Sequence, residues 1–166
     1  MESKICTSRE QSSQLLNMGI DPHTADMHWH HTNSRSETMR WELKPFHPHF
    51  FEGDAVKLYS KMAQVSDTFR QRFLNKQPEQ ISAEEQFKRL HGKDIPAWSL
   101  EALFKILPDT ISKGDDYYTF SVMKWGIEYI TPGKPAIIHS AKANLIDSAV
   151  DLLIRLEGGR KHENKN

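Results

Sequence analysis

The chain is 166 residues long, 37% hydrophobic and 27% charged, a size that suits one domain burying its core without covalent staples. Lys and Arg total 22, as do Asp and Glu, so no net charge draws the chain to a polyanion, against a general nucleic-acid coat protein. The single cysteine, Cys6, excludes an intramolecular disulfide, and no apolar run approaches the roughly 20 residues of a membrane-spanning helix. With a polar start over Met1 to Glu10 and a mean hydropathy of −0.66, these features predict a soluble protein of the reducing cytoplasm. Nine histidines make its charge sensitive to mild acid.

Thr7-Ser8-Arg9-Glu10 fits a capping box, with Thr7 as the cap and Glu10 reaching back. A helix through Leu15, Leu16 and Met18 follows, and Gly19 can end it in a left-handed conformation. Asp21-Pro22 reads as a second helix start. His30 to Met39 is polar and turn-prone, and is expected to be a loop. Trp41, Leu43 and Phe46 alternate with polar residues, as in a short strand, and Pro45 and Pro48 confine that strand to an edge.

Val56, Tyr59, Met62, Ala63, Phe69 and Phe73 recur at near-helical spacing and predict a long helix from about Gly53 to Lys76. Ser82-Ala83-Glu84-Glu85 opens a brief helix that Gly92 ends. Ile95-Pro96-Ala97-Trp98 is an extended lead-in to a helix capped by Ser99, with Leu100, Leu103, Phe104 and Leu107 inward and Pro108 as its stop. Lys113 to Asp116 is a turn. Period-two runs at Tyr118, Phe120, Val122 and at Trp125, Ile127, Tyr129 predict two strands, and Ala136 to His139 a third. Asn144 caps a last helix through Leu156, which Gly158-Gly159 ends.

The fold class predicted is α+β: a three-stranded antiparallel sheet packed by helices, with a helical insertion in the middle of the chain. Residues 1–157 form one domain, with the insert at about 46–91, and 158–166 a disordered tail. Trp98, Phe104, Phe120, Ile127 and Leu152 should meet in its centre.

Three groups of residues resemble a known family. Ile5 to Ser12 with Gly19-Ile20-Asp21 and Thr24-Ala25-Asp26-Met27, then Ile95 to Leu100 with Leu107-Pro108, then Asp147 to Asp151 with Leu156, are similar to a family of small uncharacterised proteins. That family occurs in phages and mobile elements of gut anaerobic bacteria, and carries no established activity. The resemblance covers roughly residues 5–29 and 94–157. It implies a phage or mobile-element setting, and the insert departs from the family's shorter connection.

Among candidate sites, His28, His30, His31, His47 and His49 are the potential metal ligands. On a helix His28 and His31 share a face, and in an extended segment His47 and His49 do. Two such clusters can supply the three or four ligands of a zinc site, although neither H-E-x-x-H nor C-x-x-C occurs. Packing of the histidines among Trp29, Trp41, Phe46, Phe50 and Phe51 is the plainer explanation. Cys6 near a helix start is a candidate reactive thiol, set against a small half-buried residue. Phosphate-loop and nucleophile-elbow motifs are absent.

Arg70, Arg72 and Lys76 make the insert locally basic and open a nucleic-acid reading, which Glu79, Glu84 and Glu85 dilute. Val56, Tyr59, Met62, Phe69 and Phe73 form an apolar stripe for a partner, a host or phage protein or a second copy. The function expected is therefore a small accessory protein of a phage or mobile element that binds another protein and has no catalytic constellation. The alternatives are a zinc-type metal-binding protein or hydrolase built on the histidines, and a nucleic-acid-binding regulator.

Overall fold

Residues 4–32, 40–45, 54–74 and 82–163 are described by the computed structural model. They form five α-helices, one 3-10 helix and seven strands, in antiparallel sheets of three and four strands. The α+β class follows the sequence. The single three-stranded sheet does not, because two sheets are present. The chain divides into two compact units: Met1–Met27 with Ile95–Asn166, and His28–Asp94. Among the described residues, no helix is long and apolar enough to cross a membrane.

The first unit opens with α1 (Arg9–Met18), whose cap is Ser8 rather than Thr7. Ser8 accepts from the Gln11 N–H, and the Gln11 side chain returns to the Ser8 N–H. The box is shifted by one residue because Thr7 is used elsewhere. Its buried hydroxyl accepts from the Trp98 N–H at 3.0 Å and meets Ser12 at 2.8 Å. Gly19 closes α1 at φ 93°, in the left-handed region where a side chain is disfavoured. Asp21 caps a 3-10 helix at Pro22–Thr24.

Strand β3 (Ile95–Ala97) leads to α4 (Leu100–Ile106), capped by Ser99 as expected. Asp26 accepts from both the N–H and the hydroxyl of Ser99, which ties the two chain segments of the unit together. Four strands then run as an antiparallel meander: β4 (Thr110–Lys113), β5 (Asp116–Met123), β6 (Gly126–Ile130) and β7 (Ile138–Ser140). The sequence reading found the last three. It missed β4 because Ile111 is the only large apolar residue in it. Lys113 pairs with Asp116 across a tight turn, where Gly114 takes φ 61°.

Helix α5 (Leu145–Glu163) covers this unit's core. Trp98, Ile127 and Leu152 are buried at its centre, with Phe104 and Phe120 packed against them, as expected. Fully burying an aliphatic side chain of this kind contributes about 2 kcal/mol. The Asn144 side chain caps α5 through the Asp147 N–H. The helix does not stop at Gly158-Gly159 but continues to Glu163. A glycine in a helix is disfavoured by only about 1 kcal/mol, so a glycine pair alone need not end one.

In the second unit, β1 (Met27–His31) enters from the first and β2 (Trp41–Pro45) lies at a sheet edge, where Pro45 is tolerated. The expected loop from His30 therefore begins later, since His30 and His31 belong to β1. The Thr32 N–H donates to the Arg40 carbonyl at 2.7 Å, and His31 stacks edge-on against Trp41. Helices α2 (Asp54–Phe73) and α3 (Ala83–His91) meet through Tyr59 and Phe87, rings T-shaped at 5.1 Å. Ser82 caps α3 through the Glu85 N–H.

Candidate metal centre

Strand geometry decides which histidines converge. Alternate residues of a strand share a face, so β1 places His28 with His30 and turns His31 away from them. The helical pairing of His28 with His31 is thus replaced by a strand pairing. His28 is fully buried, and His30 is half-buried.

The residue that completes the group is Asp94, just beyond α3. Its carboxylate lies 3.0 and 3.1 Å from Nδ1 of His30, and one oxygen is 3.7 Å from Nε2 of His28. One potential ligand atom from each of His28, His30 and Asp94 falls within 4.8 Å of the others. The tetrahedral ligands of a zinc ion bound at 2.0–2.1 Å sit roughly 3.3 Å apart. The two Asp94–histidine separations, 3.0 and 3.7 Å, bracket that value.

Asp94 is held from several sides. The His31 N–H donates to it at 3.0 Å, and Nδ1 of His91 donates to it at 2.8 Å. Burial would raise its pKa, but these hydrogen bonds and that from His30 prevail and hold the carboxyl down at about 2. It is therefore ionised, as a ligand must be. The far side of His91 meets the Tyr59 hydroxyl at 2.5 Å from Nε2. Because Nδ1–H is given to the carboxylate, Nε2 accepts and the tyrosine donates. Tyr59, His91 and Asp94 thus form a chain from α2, through the end of α3, to the centre.

The sequence reading named His28 and His30 but not Asp94 or His91. A signal existed: a histidine and a carboxylate three apart where α3 ends, directly before the extended Ile95-Pro96-Ala97. Gly92 between them masks that signal, because it reads as a helix stop. His31 lines the neighbouring cavity instead of the centre, and His47 and His49 lie outside the described residues.

The other candidates are dispersed. Tyr59 is buried against Phe87, whereas Val56 and Met62 are exposed on α2. Phe69, Phe73 and Arg70 lie in α2 with their side chains outside the description. Arg72 is exposed there, and Lys76 lies outside the described residues. Cys6 is buried, and burial pushes its thiol up to about 11, the opposite of an activated nucleophile.

Comparison with protein-family models, curated proteins and solved structures finds no match to this chain.

Proposed function

We propose that the protein binds a divalent transition-metal ion of the zinc type through His28, His30 and Asp94. The observation that carries this reading is the convergence of two imidazoles and one ionised, buried carboxylate within ligand distance. Two histidines with one carboxylate leave a coordination position open for water or a small ligand, as in zinc sites that act on substrates. Imidazole nitrogens favour zinc, iron, copper or nickel over magnesium or calcium.

Elemental analysis of untagged protein after zinc loading and desalting tests this directly. About one equivalent of zinc is expected, with His30→Ala and Asp94→Asn each retaining far less. Circular dichroism confirms that the variants stay folded. Less than about a tenth of an equivalent in the parent protein overturns the reading.

A second reading, protein binding, is supported by apolar side chains exposed along α2. Val56, Leu58, Met62 and Val65 are all open to solvent there, Val65 by 69%. Under this reading the chain is an accessory protein of a phage or mobile element, the setting its sequence resemblance implies. Val65→Asp leaves the fold intact and abolishes capture of the partner. Unchanged capture removes the α2 stripe as the binding element.

A further inference from the structure

Beside the proposed metal centre, the second unit encloses a cavity of about 250 Å³. Among the described residues its lining is His30, His31, Thr32, Arg89, Leu90 and Lys93. Two permanent cations, two imidazoles and one hydroxyl face this space, with a single aliphatic residue and no carboxylate among them. From these observations we infer that the cavity binds a small phosphate-bearing anion. The inference goes beyond metal binding and does not require the ion.

Two features favour this over ordinary basic residues at a helix end. Cations in a last helical turn commonly offset the partial charge of exposed carbonyls. Here the Lys88 and His91 carbonyls already accept from the Gly92 and Asp94 N–H groups, at 2.8 and 2.9 Å. Arg89 and Lys93 are also joined in the lining by His31 of β1 and by Thr32 just after it, so the polar wall comes from two chain segments.

Arg89 already meets Glu85 at 3.0 Å, with both side chains about half exposed. Exposed pairs of this kind contribute little, and a guanidinium has five N–H donors. An entering phosphate can therefore share or displace that contact. Two cations match the two negative charges of a phosphate monoester, and the fork of Arg89 fits two of its oxygens. The volume lies below the roughly 300–1,000 Å³ of sites for larger organic ligands, which limits the occupant to a small molecule.

Calorimetric titration of the full chain with inorganic phosphate, after removal of metal by chelation and desalting, tests the inference. Saturable binding at or below about 1 mM is expected. The double variant Arg89→Gln with Lys93→Gln weakens it by about tenfold or more, since charge-assisted hydrogen bonds are lost. Lys105→Gln, a neutralised cation on α4, leaves it unchanged. Glycerol phosphate, titrated in parallel, binds more tightly than inorganic phosphate when the natural ligand is a monoester and more weakly when it is the free ion. Absence of saturation by about 10 mM phosphate overturns the inference, as does equal binding by the double variant. Binding that appears only on adding zinc also overturns it, because the ion would then hold the anion. Since the titration uses metal-stripped protein, a failure of zinc binding leaves its result standing.

Discussion

Tyr59 donates its hydroxyl to Nε2 of His91, at 2.5 Å, and so fixes which nitrogen of that ring faces Asp94. The bond crosses from α2 to the last residue of α3 and orients a group that holds a proposed metal ligand. Groups behind the ligands of a metal typically alter affinity by 10–100-fold. Tyr59→Phe keeps the ring against Phe87 and removes only the hydroxyl. Zinc affinity is expected to fall by about tenfold, measured by competition with a chromophoric chelator. An unchanged affinity separates the Tyr59–His91 bond from the centre.

Asp94 also serves the fold without metal. Its carboxylate accepts from His30, His91 and the His31 N–H while only 7% exposed. Replacing Asp94 by Asn removes the charge that strengthens these bonds. The metal-free variant is expected to lose about 2 kcal/mol of stability in urea unfolding. A loss below about 0.5 kcal/mol rejects this structural role for the charge.

Thr7 is the hinge of a different arrangement, in the first unit. Its N–H donates to the Trp98 carbonyl at 2.9 Å, and its hydroxyl accepts from the Trp98 N–H. Thr7→Val preserves shape but leaves a buried N–H without that acceptor. Unfolding free energy should drop by about 1–3 kcal/mol. The α1 cap, made by Ser8, should survive, and helicity with it.

Gly126 is buried where β6 begins, and a methyl group there would sit 2.4 Å from the Ser140 carbonyl oxygen. That oxygen belongs to the backbone and cannot swing aside. Gly126→Ala should therefore destabilise the protein by about 1–3 kcal/mol, through displacement of β7 from β6. Thermal unfolding gives the measurement, and an unchanged midpoint refutes the close approach.

Acid should weaken the first unit through Asp147. Burial alone would raise its pKa, yet hydrogen bonds from Lys4, Gln11 and Asn144 lower it beneath the ordinary 3.8. A folded pKa below the unfolded one means that the contribution is complete above the ordinary value. It disappears as the pH falls through the folded pKa. Partial exposure keeps the effect under about 1 kcal/mol. Asp147→Asn should flatten this part of the stability curve below pH 4 and leave the rest of the curve shape unchanged.

Much of the first unit can be read from the chain because its signals are local. Ser99 and Asn144 are caps followed by apolar faces, and Tyr118 and Tyr129 lie in clean alternations. The cap falls at Ser8 and not at Thr7 because the Thr7 hydroxyl is claimed by Trp98, a residue distant in sequence. The proposed metal centre depends on the same kind of distant pairing. Whether His30 or His31 accompanies His28 follows from β1 being a strand, and that in turn depends on neighbouring strands. Asp94 carries no motif of its own. Only the folded chain brings it from beyond α3 to the histidines of β1.

The burial of Cys6 gives the molecule a built-in clock. Its only thiol is sealed at 4% exposure and held protonated by its surroundings. A maleimide or disulfide reagent therefore modifies the native chain only when Cys6 becomes exposed. The labelling rate measures how often that opening happens, without an engineered probe.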